Sequence, residues 1–284
     1  MGVPIAVPDR RPPEPATMSD TTLTALADAL LLARATGRRA DPSPFAHALT
    51  EPADAYRVQD HIARTLDWFP DATAPRTWKT GAASLDGPAS HAALPRCDVH
   101  NGHAELQLPP GSYAGVEAEL AFRLRDDTHA DDTAGLTPEQ VLALFTDIAV
   151  AIEVVGSRWA GTAPPLLGLA DQLSSRALVL GNWVPRFAVP WGAQPCSVRV
   201  GSRPALEVVG SHPLKDPSLL LQRWIQHAAR AHGGRLPAGS IVTTGSWVGV
   251  VPVMAGQTVE VEFAGIGNAA LHLAEPGAPA CMAD

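Results

Sequence analysis

The chain has 284 residues, 46% of them hydrophobic and 18% charged, which excludes a wholly disordered protein and suits one large domain with at most an appended segment. A formal net charge of -8 argues against nucleic acid and anionic membranes as partners, and no apolar run is long enough to span a bilayer. Cys97, Cys196 and Cys281 lack CxxC spacing, and the N-terminus lacks the apolar core of a signal peptide, so the expected location is cytoplasmic.

Residues 1–18 are rich in proline and without periodicity, and they read as a disordered tail in which Met18 is a candidate start. Ser19 or Asp20 then caps an expected helix with Leu23, Leu26, Leu30 and Ala33 as its apolar stripe and Gly37 as its stop. A second helix is expected from Pro52 to Phe69, with Val58, Ile62, Leu66 and Phe69 at helical spacing and Pro70 ending it. These two helices define a helical segment over 19–75, followed by a β-rich body over 76–284.

From Trp78 onward the texture is short strands and turns. Val116, Ala118, Leu120 and Phe122 alternate with Glu117, Glu119 and Ala121, which reads as a strand. Thr137-Pro138-Glu139-Gln140 is a capping box with proline at the first helical position, and the apolar run Val141 to Ile152 holds a helix and then a buried strand. Leu178 to Gly181 reads as another strand end. Ser218 to Ala231 is a third helix stopped by Gly233 and Gly234. The end is strand-rich, over Ile241 to Thr244, Thr258 to Phe263 and Ala270 to Leu273. The sum is an α+β fold with its helices gathered early.

The candidate chemistry lies in carboxylates. Side chains two apart on a strand share a face, roughly 7 Å apart at their Cα atoms, so Glu117 and Glu119 can converge on one point. Oxygen donors of this kind suit hard cations such as Mg²⁺ or Mn²⁺. The same ExE spacing recurs at Glu260 and Glu262, so spacing alone does not separate a metal site from a solvated strand face. Glu153 lies within the apolar stretch AVAIEVVGSRW, where a buried charge needs a cation or a partner, and Arg158 competes for that role. Asp171 has a similar status, with capping of the following turn as its structural alternative. Lys79, beside Trp78, can have a lowered pKa in a partly apolar pocket and serve in proton transfer, or can be an exposed lysine. None of the ten histidines forms HExxH, and no GxSxG, P-loop or GxGxxG is present.

The order of these segments resembles the 2-keto-4-pentenoate hydratase and 4-oxalocrotonate decarboxylase group of the fumarylacetoacetate hydrolase superfamily, over about residues 20–275. WKTG at 78–81, GVEAELAF at 115–122, AIEVVGSRW at 151–159, LADQLSSRALVLG at 169–181 and the closing strands from Leu236 look like the group's segments in the group's order. The resemblance implies a fumarylacetoacetase-like mixed sheet or roll behind the N-terminal helices. It implies Glu117, Glu119 and Glu153 as ligands of Mg²⁺ or Mn²⁺, Lys79 and Asp98 as catalytic residues, and Asp171, Ser174 and Ser175 at the substrate. It further implies a homo-oligomer acting on a small 2-oxo or 2-hydroxydienoic acid in aromatic catabolism. The expected reaction is hydration of a 2-hydroxyalka-2,4-dienoate to a 4-hydroxy-2-oxo acid. The alternatives are decarboxylation of a 2-oxo dicarboxylate, acylpyruvate-type C–C hydrolysis, and a non-catalytic relative of the fold. Two departures stand out. Gln172 replaces the group's asparagine, and segment 82–104, with His91, His100 and His103, is unusual and expected to cover the site.

Overall fold

The computed structural model describes residues 18–69, 75–82, 84, 87, 89–109 and 114–275, so the expected tail lies outside the described residues except for Met18, and segment 82–104 is described only in part. Helix α1 (Asp20–Thr36) opens the fold. Ser19 accepts a hydrogen bond from Thr22 N, and Gly37, at φ 72°, donates its N–H to Ala33 O. Its stripe of Leu23, Leu26, Ala27, Leu30 and Ala33 is buried. Burial of each leucine there stabilises by roughly 1.5–3 kcal/mol, so Leu26→Ala at this fully enclosed position costs about 2–5 kcal/mol. Helix α2 (Pro52–Thr65) is shorter than its spacing predicts: Asp67 takes a left-handed conformation at φ 49° and ends it before Trp68 and Phe69. Both helices pack with Trp159 and helix α4 (Pro165–Ala170) into one apolar cluster.

The strands follow in chain order. Strands β1 (Thr77–Gly81), β2 (Ser90–Leu94), β3 (Val99–Asn101), β4 (His103–Leu106), β5 (Ala114–Leu124) and β6 (Thr128–His129) precede helix α3 (Pro138–Leu142). Strands β7 (Phe145–Val155), β8 (Ser175–Leu180), β9 (Val184–Pro185), β10 (Pro195–Val200) and β11 (Leu206–Val209) lead to helix α5 (Leu219–Ala231). Strands β12 (Arg235–Leu236), β13 (Ile241–Thr243), β14 (Val251–Val253), β15 (Thr258–Phe263) and β16 (Gly267–Leu273) close the described chain.

The larger sheet runs β2-β1-β13-β5-β7-β8-β3, with β14 also on β5 and β9 on β7. The smaller runs β11-β10-β15-β16-β4. Both mix parallel and antiparallel ladders, because β1 is parallel to β13, β3 to β8 and β4 to β16. The fold is thus α+β, with a mixed β-rich body behind the two leading helices. The capping box at Thr137 forms, with Thr137 Oγ1 accepting from Gln140 N, but α3 is brief and strand takes over at Phe145. Strand β7 lies between β5 and β8 and is buried on both faces, which is why its apolar run carries no period.

The main core lies between the sheets and α5. Val116, Ala118, Leu120 and Phe122 from β5 meet Trp224 of α5, Trp247 and Phe263 there. The two sheets come so close at Gly181 that an added Cβ would stand 2.2 Å from Asn268 O, and only glycine permits that approach. The opposite face of β5 and β7 carries Ala121 and Ala151, packed with Leu94, Leu178 and Leu180, and on this second face the glutamates project.

Candidate active site

Alternation along β5 sends its large apolar residues into the main core and leaves Glu117 and Glu119 on the other face. The antiparallel ladder sets Glu117 directly opposite Glu153 of β7, so the third carboxylate arrives on the same face from a second rigid strand. One oxygen from each of the three lies within 4.8 Å of the others. Glu153 is fully enclosed, Glu119 is 1% exposed and Glu117 is half-buried. Glu260 and Glu262, with the same sequence spacing, face solvent on β15.

Lys79 reaches the cluster from β1. Its Nζ stands 2.6 Å from Glu153 Oε1 and donates to Leu173 O at 3.2 Å. Burial disfavours the ammonium, but Glu153, Glu119 and Glu117 outweigh it and hold its pKa above the ordinary lysine value. The lowered pKa expected for a lysine in an apolar pocket is therefore reversed by its three neighbours. Burial, together with Glu153 and Glu117, pushes the Glu119 carboxyl up to about 8, and burial with Glu153 raises Glu117 as well.

One ammonium against three carboxylates leaves surplus negative charge in an enclosed place. Among the described residues Glu153 Oε2 has no hydrogen-bond donor, and Oε1 has the Lys79 ion pair without a well-directed hydrogen bond. A buried carboxylate oxygen in this state needs a cation. Three converging oxygen donors with an open side toward a cavity fit a hard divalent ion, and the residues of the chain thus suit the metal group that the resemblance implies.

That cavity has a volume of about 800 Å³ and is lined at its charged end by Lys79, Glu117 and Glu119. Several of its contributors carry no sequence signal because they act through the backbone. Leu173 offers its carbonyl to Lys79, and Gly245, at φ 92°, turns its N–H to Glu119 Oε2 at 3.1 Å. His212 lines the wall with Nε2 against Thr244 O at 2.9 Å, and burial lowers its pKa. Thr80, also in the lining, bonds His91 Nδ1 at 2.6 Å behind it. A glycine ending TTG and one histidine among ten were the available hints.

The remaining expected residues lie elsewhere. Asp98 is not among the side chains lining the cavity. It sits on a short turn of helix after β2, and its carboxylate pairs with Arg34 of α1 at 3.7 Å. Strand β2 runs back antiparallel along β1 from Gly81 toward Thr77, so the chain past Leu94 leaves Lys79 behind. The partner that the structure gives Asp98 is thus Arg34, where Lys79 was expected. Asp171 is buried and occupied: it accepts from Arg158 Nη1 at 2.9 Å, Arg158 N at 2.8 Å and Ser157 Oγ at 3.3 Å. It caps the Ser157–Arg158 turn rather than the one that follows it, and Arg158 is therefore taken up by Asp171 and not by Glu153. Ser174 takes φ 65° and accepts from Gly156 N through its carbonyl, while the hydroxyl of Ser175 is buried without a partner among the described residues. Neither serine lines the cavity. His100 and His103 do not line it either, and of the segment 82–104 the described lining residues are Ala82, Gly87 and Ser90.

Comparisons with known proteins agree with this architecture. A 2-hydroxyhexa-2,4-dienoate hydratase of Comamonas testosteroni is 26% identical over 164 residues, 56% of this chain and 60% of that protein. The TodF product hydratase of Pseudomonas putida is 29% identical over 167 residues, 58% of this chain and 60% of that protein. The chain thus matches about three-fifths of the length of these curated relatives. Among solved structures, 4-oxalocrotonate decarboxylase from Pseudomonas putida G7, complexed with magnesium and adipate, superposes with a TM-score of 0.77 at 20% identity, covering 90% of this chain and 99% of that one. The model of the fumarylacetoacetate (FAA) hydrolase C-terminal family matches residues 48–274, a span that takes in β1, β5 and β7 with all four converging side chains, and the chain belongs to that family.

Proposed function

We propose that this chain is a metal-dependent lyase that adds water to a 2-hydroxyalka-2,4-dienoate and yields a 4-hydroxy-2-oxo acid. The observation that carries the reading is the convergence of Glu117, Glu119 and Glu153 with Lys79 at one end of a large cavity. The names of the two curated relatives, both hydratases, support the reaction class.

In this reading Glu117, Glu119 and Glu153 hold one divalent cation, Mg²⁺ or Mn²⁺. When bound, the ion supplies a positive charge that stabilises the negative charge developing on the 2-oxygen of the substrate. Lys79 holds a proton at Nζ beside that end of the cavity, and its contacts to Glu153 Oε1 and Leu173 O fix the direction from which the proton is offered. Gly245 N orients the Glu119 carboxylate through Oε2. The apolar walls hold the carbon chain and limit the water that reaches it. Asp171 acts one step back by holding Arg158 and the Ser157–Arg158 turn, Ser174 and Ser175 follow Leu173, whose carbonyl meets Lys79, and Asp98 pairs with Arg34.

The reading includes a homo-oligomer in the cytoplasm, for which the support is the family resemblance and, among the described residues, the free thiols of Cys97 and Cys196. No helix among the described residues is long and apolar enough to cross a membrane. The test is direct: chelate the metal, assay hydration of 2-hydroxypenta-2,4-dienoate and its C5-substituted analogues by loss of dienol absorbance, and restore Mg²⁺ or Mn²⁺. Activity that follows the metal is expected. Hydration that is indifferent to chelation, or no turnover of any such acid with metal restored, overturns the reading.

A further inference from the structure

The apolar lining of the cavity says which dienoate. Besides Lys79, Glu117 and Glu119, the cavity is lined by Leu206, Val208, Leu220, Trp247 and Val248. A volume of about 800 Å³ lies toward the top of the range that encloses whole drug-sized ligands, roughly 300–1,000 Å³. An unsubstituted five-carbon acid leaves most of it filled with water.

Charge narrows the choice further. Among the described lining residues Lys79 is the only lysine or arginine, and it is committed to Glu153. The stretches 82–89 and 109–114, which adjoin described lining or cluster residues, contain no lysine, arginine or histidine. Burial lowers the pKa of His212, against the opposing pull of Thr244 O and Asp216, so it is a weak counter-charge. A second carboxylate on the substrate would find no cation besides the committed Lys79 among the described lining residues, with Arg223 at the rim already bonded to Gly87 O at 2.8 Å, and its burial is costly. An uncharged hydrocarbon group would gain from the same walls.

One wall is also rigid. Trp247 is 2% exposed, meets Phe263 edge-on with ring centroids 5.3 Å apart, and lies 5.6 Å from the His212 ring and 6.5 Å from Trp191. Its carbonyl accepts from Ser211 Oγ at 2.5 Å. A wall locked in this way selects by shape.

We infer that the substrate is a 2-hydroxy-2,4-dienoate with a bulky, uncharged apolar group on C5, a monocarboxylate, bound with its acid end at Lys79 and its C5 group against Leu206, Val208, Leu220 and Trp247. This rests on the hydratase reading above and specifies it. The reaction balances for any such group: water supplies the hydroxyl on C4, C5 and C3 each gain a proton, the 2-hydroxyl loses one as the enol becomes the ketone, and no oxidant or reductant is needed.

The experiment compares three dienoates that differ only at C5, carrying hydrogen, phenyl or carboxylate, on Mg²⁺-loaded enzyme. The expected kcat/KM for the phenyl compound exceeds that of the unsubstituted one by at least about tenfold, a modest demand since single methylenes discriminate by that much, and the carboxylate compound is poorest. Val208→Trp, at a partly exposed edge-strand position, should lower the ratio of phenyl to unsubstituted turnover by about tenfold or more. Equal or better turnover of the unsubstituted or carboxylate compound, with metal dependence intact, overturns the inference and leaves the hydratase reading standing. Binding of 2-oxopentanoate and 5-phenyl-2-oxopentanoate, measured by calorimetry with Mg²⁺ present, judges the pocket apart from turnover. Tighter binding of the phenyl acid supports the inference even if no dienoate is hydrated, and equal affinity overturns it.

Discussion

Glu117 and Glu153 stand directly opposite one another on adjacent antiparallel strands, and the side chains of directly opposed residues emerge on one face. With Glu119 two residues further along β5, this single register places three carboxylates around one point. A shift of one residue in the β5–β7 ladder would turn Glu153 to the other face and dismantle the site.

If these three hold the cation, Glu117→Gln and Glu153→Gln each weaken Mn²⁺ affinity by more than about 10–100-fold, the loss common for mere outer-shell partners of a metal. Free Mn²⁺ measured by electron paramagnetic resonance gives the affinities. Glu260→Gln, on an exposed strand face, serves as the control and leaves them unchanged.

Lys79→Met strips the ammonium from a fully enclosed carboxylate. Breaking a buried pair in this way costs about 3–5 kcal/mol. The loss should be largest in metal-free protein and partly recovered on adding Mn²⁺, which supplies the missing positive charge. Urea unfolding with and without metal reads both numbers. A variant as stable as the parent without metal would mean that the pair contributes nothing.

Arg158 and Asp171 form a second enclosed pair, remote in role from the cation. Arg158→Met leaves Asp171 uncompensated and should destabilise by about 3–5 kcal/mol while leaving Mn²⁺ affinity within twofold of the parent, because the pair secures the turn before α4 rather than the ligands. A stable variant with impaired metal binding would contradict this assignment.

Three histidines predict an acid limb above the carboxylate range. Burial and His227 drive His91 down to about 3, and burial also lowers His227 and His232, with Tyr56 and Trp78 packed on their rings and Asp60 facing His232. Each has a folded pKa below its unfolded value near 6.5, so the unfolded chain takes up the proton first. Their contribution is complete above pH 6.5 and is lost as pH falls toward the folded values, at up to about 1.4 kcal/mol per pH unit for each histidine. The raised Glu119 carboxyl works in the opposite sense over this range, so the histidine contribution is read as a difference: between pH 6.5 and 5 the unfolding free energy of His227→Gln should fall less than that of the parent. Parallel profiles for parent and variant would refute the account.

The legibility of this protein in its sequence divides along the range of the interactions. Capping residues and periodic stripes identify α1 and α5 and the strand through Glu117, because these depend on neighbours a few residues away. Helix α2 overruns in the sequence reading because Leu66 and Phe69 keep the helical spacing although Asp67 breaks the backbone, and β7 hides its period because both of its faces are buried.

By itself the sequence determined that Glu117 and Glu119 share a strand face and that Glu153 lies among apolar neighbours. Only the tertiary structure decided that this ExE pair is enclosed while Glu260 and Glu262 face water, that Arg158 belongs to Asp171, that Asp98 turns to Arg34, and that Leu173 O and Gly245 N complete the site. The physical reason is that alternation is local. Which face becomes interior depends on strands paired across dozens of residues, and backbone donors and acceptors have no letter in the sequence to mark them.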